Sequence, residues 1–284
     1  MPRSPRVARY DLAILHDPQE ALPPSNAKAL ESFIRVGKTL GIDVDLIEKK
    51  DYSRIAEYDA LLIRETTSVG NHTYRFAKKA ESEGLVVMDD PASILRCTNK
   101  VYLTDLLKSH QLGMPATEIL YKERPEEFER VGERLGFPLV LKIPDGCFSR
   151  GVIKVESQQA LLEATSELFE HSVLLLAQEF FYTEYDWRIG VLNRKPIFAC
   201  QYFMSKGHWQ IYNHKAKGQD INGECRTLAV HEAPRAVVEL AVKTANLIGD
   251  GLYGVDLKQS GEKVVVIEVN DNPNMDAGIE DAYL

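Results

Sequence analysis

Residues 254–274 read GVDLKQSGEKVVVIEVNDNPN. Two apolar runs, 254–257 and 263–269, flank the turn pair Ser260-Gly261, which predicts an antiparallel strand pair. Residues i and i+2 of a strand share a face. Glu268 and Asn270 therefore converge, and Asp256 on the neighbouring strand joins them. Val264, Val265, Val266, Ile267 and Val269 surround these polar groups with apolar side chains, and a charge set in a buried strand needs a partner. Two carboxylates and an amide oxygen suit a hard cation such as Mg²⁺, which takes one or two carboxylates and completes its shell with substrate phosphates. The alternative, solvent-facing strand carboxylates, leaves the apolar surroundings unexplained.

Upstream, the first ninety residues alternate strand and helix signals. Strands are expected at 11–15, 42–47, 60–63 and 85–88. Helices are expected from a Ser25 cap to Leu40 and over 71–80, ended by Gly41 and Gly84. That alternation predicts a parallel sheet with helices on its faces. A helical stretch at 93–110 is interrupted at 97–100. Strands follow near 117–120, 139–143, 152–155, 173–178, 187–192 and 196–203, with a turn at 193–195. Helices fall at 125–135, with Pro at its start and Gly136 at its end, at 158–169, and at 231–248, the longest clean pattern. Residues 206–226 are polar and read as strand and loop.

Three more segments carry candidate chemistry. Lys142 ends a strand and precedes a loop holding Gly146, Ser149 and Gly151. Glycines let backbone N–H groups approach phosphate oxygens, and a hydroxyl adds a donor; the competing reading is an ordinary turn. Gln178, Glu179 and Phe180 close a strand whose free backbone groups can bind an adenine edge, and Asp186 and Arg188 share a strand face; the competing reading is a surface ion pair. Lys100 follows Asn99 near a helix start, a position that favours anions, or is a solvated helix lysine. Residues 206–226 hold His208, Tyr212, Asn213, His214, Lys215, Lys217 and Arg226, a basic lining that suits an acidic substrate or a solvated lid.

Composition narrows the class. The chain has 284 residues, enough for two or three small domains. With 34 basic and 42 acidic residues its net charge is −8, which disfavours general binding to nucleic acid or an anionic membrane. No window approaches the roughly 18 apolar residues of a membrane helix. Arg3, Arg6 and Arg9 precede no apolar secretory core. Cys97, Cys147, Cys200 and Cys225 lack metal-site spacing and are expected as reduced thiols in a cytoplasmic protein.

The order of these segments resembles the ATP-grasp superfamily, most closely its RimK-like glutamate ligases and glutathione synthetase group. The resemblance rests on Lys100, Lys142 with its loop, Gln178-Glu179, Asp186-Trp187-Arg188, and the closing residues Asp256, Glu268, Asn270, Asn272, Pro273 and Asn274. It covers residues 93–276.

The resemblance implies an α/β fold (α+β ATP-grasp). A βαβ preATP-grasp domain would span 1–92, a small lid subdomain 93–175, and a large subdomain with the metal site 176–284. It implies an ATP-dependent carboxylate–amine ligase that forms an amide through an acyl phosphate, adding glutamate or another amino acid to a peptide or small molecule. Its partners would be ATP, a carboxylate and an amine, with homo-oligomers common in the group. Lys100, Lys142 and Lys206 would serve the nucleotide, and residues 146–151 would close over its phosphates. Gln178, Glu179 and Phe180 would meet adenine and Asp186 the ribose. Asp256, Glu268 and Asn270 would hold two Mg²⁺ ions, or Mn²⁺ in their place. Lys142, Arg188 and Asn272 would stand at the reacting phosphate and acceptor carboxylate.

Two departures stand out. Cys147 and Phe148 occupy the middle of the loop, where Gly and Ser are denser in the superfamily. The chain also ends fourteen residues past Asn270, where relatives continue with a helix, so a shortened chain is expected. Two further readings share the same motifs: a phosphotransferase acting on a hydroxyl, and a nucleotide-binding regulatory protein.

Overall fold

A computed structural model describes residues 9–145, 151–211 and 223–283. Three sheets organise them. The first is parallel and built from β1 (Tyr10–Leu15), β2 (Ile42–Ile47), β3 (Ala60–Ile63) and β4 (Val86–Met88), in the order β2-β1-β3-β4. Helices α1 (Ala27–Leu40) and α2 (His72–Ser82) belong to this unit. Its core of Ala13, Leu15, Ile47, Ile63 and Phe76 is closed to solvent. Asn26, not Ser25, caps α1, its side chain accepting from the Ala29 N–H. Ser25 instead donates to the Met275 carbonyl across the molecule. Residues Lys49–Glu57 form a 3₁₀ helix.

Helices α3 (Pro91–Thr98) and α4 (Lys100–Ser109) follow, broken at Asn99, whose side chain caps α4 at the Tyr102 N–H. The second sheet is antiparallel: β5 (Thr117–Tyr121), β6 (Leu139–Lys142), β7 (Val152–Val155) and β8 (Leu174–Glu179), ordered β5-β8-β6-β7. Helices α5 (Glu126–Leu135) and α6 (Gln158–Leu168) pack on it through Phe128, Val131, Leu161 and Leu168. β8 belongs wholly to this sheet, so a boundary at residue 175 cuts a strand. We propose that the unit ends after Glu179.

The third sheet is also antiparallel. It contains β9 (Tyr185–Leu192), β10 (Lys195–Phe203), β11 (Cys225–Leu228), β12 (Leu252–Ser260) and β13 (Lys263–Asn270), ordered β11-β10-β9-β12-β13. β9 and β10 join through Asn193 and Arg194, both at positive φ, as a two-residue hairpin of matching twist requires. Helix α7 (Arg235–Ile248) covers the sheet with Val237, Ala241, Ala245 and Ile248. It starts after Pro234, four residues later than expected. Residues Val230–Glu232 instead form a separate 3₁₀ turn, and α7 equals α1 in length rather than exceeding it. Cys97, Cys200 and Cys225 are free thiols.

The first and third sheets meet at Arg64, directly after β3. Its guanidinium, 1% exposed, donates to the Pro24 carbonyl, the Pro273 carbonyl, Ser25 Oγ and Asn272 Oδ1 at 2.5–2.9 Å. Met275 N–H returns a bond to the Pro24 carbonyl. This junction fixes the segment after β13 against the carboxyl ends of β1 and β3.

Candidate active site

A cleft of about 550 Å³ opens where the three sheets converge. The second sheet supplies Lys142 and Gln178, the third Asp186, Arg188, Asp256 and Glu268, and α4 supplies Lys100. Pairing explains the convergence. Asp256 stands opposite Glu268 across β12 and β13 and opposite Arg188 across β9, while Gly254 stands opposite Asn270. After Asp256 the register shifts by one residue, leaving Ile267 as the extra residue of a bulge on β13, and pairing resumes at Leu257 and Val266; bulges of this kind re-aim neighbouring side chains.

Three acids of the cleft, Asp256, Glu268 and Asp186, are each paired with a cation. Arg188 grips Asp256 with two bonds, Nε to Oδ1 at 2.6 Å and Nη2 to Oδ2 at 2.8 Å. This is the planar fork that favours Arg over Lys at a carboxylate. Lys100 Nζ lies 3.0 Å from Glu268 Oε1. Burial works against the Glu268 carboxylate, but Lys100 and Lys142 outweigh it and hold the group below the usual range. Lys258 pairs with Asp186 and donates to Thr183 Oγ1 at 2.8 Å. Burial nevertheless leaves Asp186 above its ordinary value.

Lys142 donates to Gln178 Oε1 at 2.7 Å, and Gln178 Nε2 donates to Thr117 Oγ1 at 2.8 Å. Burial, reinforced by Lys100 and Lys258, lowers the Lys142 ammonium to about 8. Asn270 turns its amide nitrogen inward, to the Gly254 carbonyl at 3.2 Å and Asp256 Oδ2 at 3.1 Å. Of that amide, the carbonyl oxygen is the atom chemically suited to a cation. Two carboxylates and this oxygen match the donor set that hard divalent cations accept.

Several expectations change in detail. Gln178 lines the cleft with its side chain buried as the bridge between Lys142 and Thr117. The N–H of Glu179 bonds to the Ala116 carbonyl and that of Phe180 to the Pro138 carbonyl. Asn272 lines the cleft, but both ends of its amide are engaged, Oδ1 by Arg64 and Nδ2 by the Glu65 carbonyl at 2.7 Å. Its amide thus ties the cleft wall to the Arg64 junction. Lys206 is exposed and does not appear among the described residues lining the cleft. Gly146, Ser149, Cys147 and Phe148 lie outside the described residues, as do Tyr212, Asn213, His214, Lys215 and Lys217. Gly151 adopts φ +67°, where an added Cβ would meet the Ile143 side chain at 2.8 Å.

Local pattern did not reveal Lys258, Thr183, Trp209 or residues 66–70, all within or beside the cleft. Lys258 is two residues beyond Asp256 and so shares its strand face, a signal that was present in the sequence. Trp209 packs edge-on against Phe180 at 5.8 Å, and Lys154 Nζ sits over the Phe180 ring, 5.0 Å from its centroid.

The model of the D-ala D-ala ligase C-terminus matches residues 109–278. The chain belongs to that family. With it the chain takes its place among the ATP-dependent carboxylate–amine ligases of the ATP-grasp superfamily. A protein of Vibrio atlanticus described as a probable alpha-L-glutamate ligase is 26% identical over 250 residues, covering 85% of this chain and 79% of the relative. The D-alanine–D-alanine ligase of Bacillus anthracis, solved with ATP, superposes with a TM-score of 0.69 at 16% identity, over 95% of this chain and 89% of its own. A RimK-domain ATP-grasp protein of Sphaerobacter thermophilus gives 0.66 at 19% identity, over 91% and 90%. No described helix of this ligase is long and apolar enough to cross a membrane.

Proposed function

We propose that this ligase activates a carboxylate as an acyl phosphate and passes the acyl group to the amine of an amino acid, with L-glutamate the first candidate. The observation that carries the proposal is the convergence in one cleft of three cations, Lys100, Lys142 and Arg188, with the donors Asp256, Glu268 and Asn270. Such a set neutralises a polyphosphate from two sides. It contains no activated nucleophile, so the chemistry asked of it is positioning and charge stabilisation.

Lys100 and Lys142 would bind phosphate oxygens. The strand end at Glu179 and Phe180 would border the adenine, with Trp209 against Phe180, and Asp186 would take ribose hydroxyls. Arg188 would meet the transferring phosphoryl group, and Asn272 would hold the strand end in place through Arg64. Asp256, Glu268 and the Asn270 carbonyl would hold Mg²⁺, which when bound shields the phosphate charges from the incoming carboxylate. Binding there requires Arg188 and Lys100 to exchange their acids for phosphate. The carboxylate oxygen forms a bond to the γ-phosphorus as ADP leaves. The amine nitrogen then bonds the acyl carbon, loses a proton, and inorganic phosphate departs. The amino-acid assignment draws on the glutamate-ligase relatives; localisation in the cytoplasm and homo-oligomer formation belong to the same proposal.

ADP release measured across amino acids and short peptides, with and without hydroxylamine, tests this reading. A hydroxamate formed with one carboxylate traps the acyl phosphate and identifies that substrate. ADP and a stable phosphorylated product without hydroxamate would replace the ligase reading with a phosphotransferase. Nucleotide binding without turnover on any member of the panel would favour a regulatory protein.

A further inference from the structure

Asp271 follows β13 and has no part in the chemistry above. It lines the cleft while only 5% exposed. The Thr67 side chain stands beside its carboxyl group, and Oδ2 has no hydrogen-bond partner among the described residues. Its charged neighbours include the acids Asp89, Asp90 and Glu268. A buried carboxylate oxygen without a donor is costly, and such an atom in a native fold calls for an explanation. Asp89 also has an oxygen without a partner, but it does not line the cleft, and the Arg64 guanidinium opposes its charge.

The wall facing Asp271 has a topology that takes ligands. From β1 the chain crosses to β2 on one side, and β3 lies on the other. The carboxyl ends of β1 and β3 therefore flank a switch point, where open α/β sheets bind small molecules. The loops after these strands supply Leu22, Pro24, Thr66, Thr67 and Ser68 to the cleft. Thr67 brings this wall to Asp271, and Arg64 anchors the wall to the segment that carries Asp271.

We propose that Asp271, steadied by Thr67, receives the amino group of an amino-acid substrate, whose ammonium supplies the donor that Oδ2 lacks. This deepens the ligase reading by assigning one substrate's recognition group to a residue, and it rests on that reading for the identity of the site. The ammonium so held belongs to an amino acid that enters as the carboxylate substrate, so its nitrogen is not the attacking amine, and no bond is made or broken at Asp271.

The test is equilibrium binding, so it needs no turnover. With a non-hydrolysable ATP analogue and Mg²⁺ bound, the wild-type protein is titrated with L-glutamate, D-alanine and L-alanine, and with their amine-free counterparts glutarate and propionate. At least one amino acid is expected to bind about tenfold or more tightly than its counterpart, the scale of a charge-assisted hydrogen bond. Asp271→Asn, which keeps the side chain's size and an oxygen for Thr67, should abolish that difference while the analogue's affinity changes less than about twofold. Thermal melting verifies that the variant is folded. No preference for any amino acid over its counterpart, or a preference that survives Asp271→Asn, overturns the proposal. So does a loss of Mn²⁺ affinity in the analogue complex without loss of amino-acid preference, because Asp271 would then be a metal ligand. A preference lost in the variant alongside a failed hydroxamate assay would leave this inference standing and remove the ligase reading alone.

Discussion

Lys142 shows what the site costs the fold at the scale of one residue. Its ammonium sits at about 8 because burial opposes the charge, against an ordinary value of 10.5. The folded protein therefore binds fewer protons than the unfolded chain between those values, and stability rises with pH through that window. Below pH 8 the cost of the charged, half-buried lysine is fully present. Lys142→Met is expected to gain about 1 kcal/mol at pH 7, discounted for the side's opening to the cleft and for the Gln178 oxygen it abandons. The advantage should shrink as pH climbs from 8 to 10.5. The same variant should lose about 10–100-fold in nucleotide affinity, the worth of one charge-assisted hydrogen bond. Urea unfolding at several pH values and calorimetric titration with an ATP analogue read the two effects separately. A variant less stable than wild type at pH 7, with unchanged nucleotide affinity, would make Lys142 a structural residue. Asp256 invites the complementary change. Asp256→Asn keeps the shape that Arg188 and Asn270 hold but removes the charge, and activity should fall by about a hundredfold or more; near wild-type turnover would sink its assignment.

Secondary structure was legible where sequence pattern and burial coincide. β2, β3 and β7 fall on the residues their alternation or apolar runs marked, because Gly, Pro or polar turns bracket each run. The Asp256–Glu268–Asn270 convergence was likewise readable from a two-residue period. Arg64 was not. At the end of an apolar strand it looks like any surface arginine, and its burial comes from Asn272 and Pro273, more than two hundred residues away. The Lys49–Glu57 3₁₀ helix was missed for a related reason: of its residues only Ile55 is buried, so it has no apolar period to detect. The Arg64 junction joins β3 to the segment after β13, so its loss should act on both. Arg64→Ala is expected to destabilise by about 3–5 kcal/mol, since removing one member of a buried charge network leaves Asp89 uncompensated. Arg64→Lys should recover little, because a single ammonium cannot reproduce the fork that reaches four acceptors. Full recovery by lysine in chemical denaturation would show that charge alone, not the shape of the group, holds the junction.

At the scale of the whole molecule, the cleft is the meeting place of three sheets with separate cores, so a ligand bound there contacts every unit at once. Ligand binding should then stabilise the entire chain rather than one sheet. A nucleotide present at 100 times its dissociation constant contributes about 2.7 kcal/mol, which for a protein of this size corresponds to a rise of roughly 4–5 °C in melting temperature. The two tryptophans offer an internal probe of where that stabilisation originates. Trp187 is buried in the third sheet's core beside Tyr185, whereas Trp209 lines the cleft against Phe180. Addition of Mg²⁺ and an ATP analogue should change the emission of Trp209 and leave that of Trp187 nearly constant. Trp209→Phe should erase the fluorescence response while preserving most of the melting shift, since a phenylalanine retains an aromatic face toward Phe180. A response that persists in Trp209→Phe would mean that the ligand reaches the third sheet's core through Trp187, and that the nucleotide lies elsewhere than the cleft wall formed by Phe180 and Trp209.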